Sequence, residues 1–141
     1  MTRPTASLLL VPLALFVARV AMPPASNSIA PNDNRHAAGT LAGGVLTVAL
    51  EVRPGTWHPE GDGGRGIDVA AFAEVGHSLT TPGPLIRVRV GTEVRATIHN
   101  TLDEPLTVFG FGKTRGLSDS LVVAPRATTH PPIIARAPGT V

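Results

Sequence analysis

The stretch Thr81–Gly112, TPGPLIRVRVGTEVRATIHNTLDEPLTVFGFG, decides the fold. It opens on Pro82-Gly83-Pro84, a turn in which two prolines fix φ and the glycine supplies freedom between them. Ile86, Val88 and Val90 then point one way, and Leu85, Arg87 and Arg89 the other. Gly91-Thr92 breaks the run. Val94, Ala96 and Ile98 alternate with Glu93, Arg95, Thr97 and His99. Period-two alternation is the mark of half-buried antiparallel strands. Asn100–Pro105 reads as a polar turn, and Leu106–Phe111 as a third strand.

Working outward, Val45–Val52 (VLTVALEV) gives another strand. Leu46, Val48, Leu50 and Val52 form one apolar face. Val45, Thr47, Ala49 and Glu51 form a mildly polar one, so the strand is expected to be covered on both sides. Arg53–Gly66 (RPGTWHPEGDGGRG) reads as a loop. Ile67–Val75 (IDVAAFAEV) is open between strand and short helix: alanine favours helix, but flanking glycines leave it too short for a stable one. Leu121–Val123 is a short strand and Pro125-Arg126 a turn. Thr128–Arg136 is a further strand, with Pro131-Pro132 placed at an edge or bend.

In order, these elements resemble the first cupredoxin (plastocyanin-like) domain of multicopper oxidases, the laccase-like enzymes. That family runs Pro-Gly-Pro-x-Ile-Arg, Gly-Asp, alternating valines to Asn-x-Leu, then Thr-x-His-Trp-His-Gly. The match here is Pro82-Gly83-Pro84-Leu85-Ile86-Arg87, Gly91-Thr92, Val94, Ile98, Asn100, Leu102, Thr107 and Gly112. It extends over roughly 44–141. The resemblance implies an all-β, cupredoxin-like Greek-key β-sandwich, and it settles Ile67–Val75 as a strand carrying Phe72 towards the core. It also implies copper chemistry, with oxygen as acceptor. The family's first two ligand histidines, however, fall on Phe109 and Phe111, which have no donor atom. These two are read as core or interface packing. Ala137-Pro138-Gly139-Thr140-Val141 resembles the segment that leads into the next His-x-His strand, so the expectation is a truncated or front portion of a longer protein.

The 15 glycines and 14 prolines among 141 residues fit many short strands better than long helices. The N-terminus is set apart. Arg3 precedes an uncharged apolar run, Ala6–Ala18, and small residues follow to Ala30, the layout of a cleaved secretory leader. The run is shorter than the roughly 20 residues of a spanning helix and holds Pro12. No twin arginine is present. The domain plan is therefore 1–30 signal peptide and processing region, 31–43 flexible lead-in, and 44–141 cupredoxin-like domain, secreted or periplasmic. Arg3 and Arg19 fall in the leader. The rest keeps ten basic residues against ten acidic ones, so the basic balance argues for no nucleic-acid partner. The chain has no cysteine, which excludes disulfides, a lipid anchor on cysteine and a blue-copper site, since the last needs a thiolate.

Gly61-Asp62-Gly63-Gly64-Arg65-Gly66 spells the dinucleotide pattern G-x-G-x-x-G. It is rejected because that pattern needs a helix N-terminus after it, and here a strand-like run follows. Glu60, Asp62 and Asp68 lack EF-hand spacing. The histidines His36, His58, His77, His99 and His130 share no short spacing, so sequence assembles no metal site from them. Asp103-Glu104 reads as a solvated acidic pair, and Arg87, Arg89 and Arg95 as a basic strand face. No nucleophile elbow or cysteine nucleophile occurs. No catalytic, cofactor-binding or metal residue is assigned, and the chain itself is expected to bind no copper. Two functions stand. One is the N-terminal cupredoxin-like domain of a secreted multicopper oxidase, inactive alone and packed on further cupredoxin domains. The other is a copper-free β-sandwich binding or assembly module in the periplasm.

Overall fold

A computed structural model describes residues 27–109 and 120–135. The expected leader lies outside the described residues up to Ser26, as do Phe111, most of the loop before Ser120, and the final 136–141. The described residues are all-β, with no helix among them. The strands are β1 (Ser28–Pro31), β2 (Thr40–Ala42), β3 (Val45–Trp57), β4 (Ile67–Glu74), β5 (Thr80–Thr81), β6 (Glu93–Asn100), β7 (Leu106–Phe109), β8 (Ser120–Val123), β9 (Thr128–Thr129) and β10 (Pro132–Ile134).

β3 organises the large sheet. Its alternate residues Leu46, Val48, Leu50 and Val52 are all buried, as their apolar parity requires. Along one side it pairs antiparallel with β4, from Leu50↔Glu74 to Trp57↔Ile67. Along the other it pairs with β6, from Val45↔Glu93 to Ala49↔Thr97. That second pairing is parallel, which corrects the all-antiparallel expectation. β6 in turn takes β10 and β9 antiparallel. β10 ends the ladder, and the break between β9 and β10 falls at Pro131, in keeping with the edge or bend expected there.

The strand also runs farther than its sequence suggests. Arg53–Trp57 belongs to β3 and not to a loop. Pro54 pairs with Ala70. Among the described residues no strand flanks it on its other side, because the β6 ladder has ended and the β1 ladder begins at Thr56. A ladder partner on one side only is where a strand tolerates proline. The stretch 86–90 departs the other way. Ile86 and Val88 pack against the core as their alternation demands, but Val90 is exposed and the stretch joins no ladder. A single bridge, Ala37↔Leu85, ties its start.

One cluster on the inner face joins Leu46, Val48, Leu50, Val94 and Ala96 with Ala38. Beside it, Ile98, Val108 and Val123 pack the β7–β8 ribbon onto the sheet. Phe72 is half-buried and touches both clusters, so its expected inward position holds. A third cluster, Ile29, Ala73 and Leu79, covers the opposite face near Trp57. Double coverage of β3 is therefore confined to its second half, and Thr47 on the first half is exposed. The stretch 31–43 contributes the end of β1 and all of β2, and Asn32 Nδ2 donates to the Gly83 carbonyl at 3.0 Å.

Candidate functional site

The family's first ligand position falls on β7. This strand is short and is held from below by Val108, which is buried with Ile98 and Val123. Strand alternation then turns the residues either side of Val108, Thr107 and Phe109, outward. Phe109 is 56% exposed. Of its two readings, core packing does not hold, since position 109 faces away from the core cluster; interface packing is the one left. A phenyl ring offers no lone pair, so the donor set at this position does not fit copper. Phe111, the second position, lies outside the described residues.

The turn before β7 is fixed by a side chain whose importance was not singled out in the sequence. Asn100 is fully buried. Its Nδ2 donates to the carbonyls of Glu104 at 2.8 Å, Val123 at 3.2 Å and Ala124 at 3.2 Å. Its Oδ1 accepts from the Leu102 amide at 3.0 Å. Parity could have found it: after Val94, Ala96 and Ile98, the next inward position on β6 is 100. Thr101 adds a bond from Oγ1 to the Val52 carbonyl at 2.6 Å. The turn into the β7–β8 ribbon is thereby locked to the middle of β3 and the end of β6.

The other candidate residues are not brought into one site. Asp103 is exposed and pairs with Arg126 at 2.8 Å, while Glu104 is exposed beside it. Arg95 pairs with Glu93 at 2.7 Å, whereas Arg87 and Arg89 are exposed on the stretch without a ladder. The three arginines therefore form no common strand face. The glycine-rich segment caps the β3–β4 hairpin and leads into strand β4, where a phosphate-binding pattern would need a helix. Within it His58 Nδ1 bonds the Gly64 carbonyl at 3.1 Å, so His58 braces the loop. Asp68 accepts from Thr56 Oγ1 at 2.9 Å. His36 and His77 are exposed. His99 Nδ1 and Thr128 Oγ1 share a bond of 2.8 Å, and Thr97 Oγ1 and His130 Nδ1 one of 3.1 Å. Among the described residues no group of three or more His, Cys, Asp or Glu side chains is placed to hold a metal.

The described residues also form shallow grooves. One of about 200 Å³ lies between β4 and β5, lined by Ile29, Trp57, Val69, Phe72 and Thr80 among others. One of about 360 Å³ lies by the Asn100 turn, lined by Pro54, Thr101, Leu102, Asp103, Glu104 and Arg126. Neither joins a nucleophile to a base, which hydrolytic chemistry requires. No helix among the described residues is long and apolar enough to cross a membrane.

No family model and no curated protein matches the sequence. Solved structures do. A laccase from Pediococcus acidilactici superposes with a TM-score of 0.51 at 17% identity, over 79% of this chain and 26% of that one. A multicopper oxidase from Campylobacter jejuni, described as a metallo-oxidase, gives 0.47 at 14% identity, over 80% and 23%. A laccase-like multicopper oxidase from the lignin-degrading bacterium Ochrobactrum sp. gives 0.43 at 22% identity, over 80% and 22%. The chain thus spans about a quarter of the length of the solved structures it matches. At such identities the likeness speaks for fold alone. The family likeness read from the sequence is matched in three dimensions, and the chain has the fold of a domain-sized part of a laccase.

Proposed function

We infer that this chain is the N-terminal cupredoxin-like domain of an exported multicopper oxidase, a Greek-key sandwich that supports a copper-dependent oxidoreductase without turning over substrate alone. The observation that carries this reading is the superposition on a laccase across 79% of the chain. The sequence match through Asn100 and Leu102 supports it independently, because Asn100 is the residue that locks the turn into β7. Its role is to pack against further domains that bring the complete ligand sets. The leader at 1–30 would deliver it to the periplasm or outside the cell.

A second reading, a copper-free binding or assembly module, is favoured by Phe109. An exposed phenylalanine at a ligand position suits contact with another protein surface. Reading the coding sequence past Val141 separates the two. In-frame continuation into a His-x-His strand, and later a His-Cys-His segment, supports the oxidase domain. A stop codon there removes the oxidase reading and leaves the module.

A further inference from the structure

Sequence scatters the five histidines, but the fold brings two of them onto one small surface. β6 and β9 pair antiparallel with His99 opposite Thr128 and Ile98 opposite Thr129. Ile98 faces the core, so Thr97 and His99 share the outer face with Thr128 and His130. The His99–Thr128 and His130–Thr97 hydrogen bonds run in opposite senses across the ladder. The ring of His99 reaches from β6 to Thr128, and the ring of His130 reaches back to Thr97. The two residues therefore stand on a diagonal of the ladder, where positions are about 7–8 Å apart, within reach of long side chains. In each ring the bonded nitrogen is Nδ1, so Nε2 is the nitrogen that these bonds leave unused.

We propose that His99 and His130 form a two-imidazole site for a divalent transition cation of the zinc, nickel or copper kind. Neutral imidazole is the donor these ions share. A hydroxyl that accepts from Nδ1–H orients the ring and leaves the Nε2 lone pair for the ion, the service that outer partners give to histidine ligands elsewhere. Water fills the remaining coordination positions, so the site is open and exchangeable. It uses neither position 109 nor the oxidase reading. The nearest charges on β6 are Glu93 and Arg95, which neutralise each other in a pair. On β3, Glu51 is paired with Arg53 at 3.0 Å. Neither pair places an uncompensated positive charge against the imidazoles.

The test is a Zn(II) titration of the full chain near pH 7.5, followed by the imidazole Hε1 resonances. Two of the five histidines, His99 and His130, should shift together and saturate at one equivalent. His99→Ala and His130→Ala should each weaken Zn(II) binding by about tenfold or more, the scale on which a metal site loses affinity when its support is broken. His36→Ala should leave affinity unchanged. Both rings sit on the outer face, so the variants should keep the wild-type amide spectrum. His99→Asn serves as a second variant that retains a polar contact to Thr128. Shifts of one histidine alone, parallel shifts of all five, or unchanged affinity in His99→Ala or His99→Asn would each overturn the site. The oxidase reading would stand in any of those cases.

Discussion

Asn100 Nδ2 donates to the Val123 carbonyl at 3.2 Å across 23 residues of chain, joining the end of β6 to the end of β8. The same amide group reaches Glu104 and Ala124, and its oxygen takes the Leu102 N–H. Replacing it leaves the buried Val123 carbonyl without this partner and takes a bond from the Leu102 amide and the Glu104 and Ala124 carbonyls, which lie nearer the surface. Each unsatisfied group costs about 1–3 kcal/mol. Asn100→Leu keeps the approximate volume and loses every bond, so it should destabilise by about 2–4 kcal/mol in urea unfolding. An effect below about 0.5 kcal/mol would mean that the turn into β7 is held by other contacts.

Gly55 gives a second, sharper test. It sits on the face of β3 covered by Leu79 and Ile29, and a methyl added there would lie 2.5 Å from Leu79 Cδ1, 2.7 Å from the Asn27 carbonyl and 2.9 Å from Ile29 Cγ1. The Asn27 carbonyl already accepts the Thr56 amide at 2.8 Å and cannot retreat without breaking that bond. Gly55→Ala should cost about 1–3 kcal/mol, the usual penalty of overpacking. It should also raise amide exchange at Thr56, because β1 must move outward. Wild-type exchange at that amide would show that the outer cover yields freely.

What the sequence made legible was parity. Leu46 to Val52 and Val94 to Ile98 alternate because water must be excluded from one face, and burial follows that alternation residue by residue. Pairing was not legible in the same way. Nothing local tells β6 to lie parallel to β3, since the partner of a strand is chosen by distant chain. The 86–90 stretch shows the converse. Ile86 and Val88 bury one face without a ladder, because alternation encodes burial and not hydrogen bonding. The end of β3 was hidden by Arg53-Pro54-Gly55, which reads as a breaker until the one-sided pairing of Pro54 is seen. At the candidate site, the missing donors at 109 and 111 were plain from residue type alone. The outward direction of Phe109 required knowing which residue of β7 touches Ile98. The His99–His130 pairing was out of reach, because it joins positions 31 apart through the β6–β9 register.

The core beneath β7 predicts how firmly that strand is held. Ile98 is fully buried between the sheet and the ribbon and touches the cluster of Val108 and Val123. Ile98→Ala should cost about 2–5 kcal/mol through lost burial and the cavity left behind. Phe109→Ser, one residue beyond Val108 but facing outward, should change stability by no more than about 0.5 kcal/mol. The contrast between the two is the measurement. A large loss from Phe109→Ser would mean that the phenyl ring is covered in solution and that the β7 face is not free.

Copper retention is the last expectation. A resident copper needs several imidazole or thiolate donors converging on one ion. Residue 109 supplies none, and the chain has no cysteine. Two imidazoles on an open sheet face hold an ion reversibly, so brief dialysis against a weak chelator such as glycine should strip it. The chain loaded with Cu(II) and dialysed in this way should keep less than one equivalent by atomic absorption, and show no oxidation of a phenolic substrate. Phe109→His alone should not change that result, because one added imidazole on the outer face of β7 still lacks converging partners. Stoichiometric copper surviving the dialysis would sink the argument from the donor set, whichever residues proved to hold it.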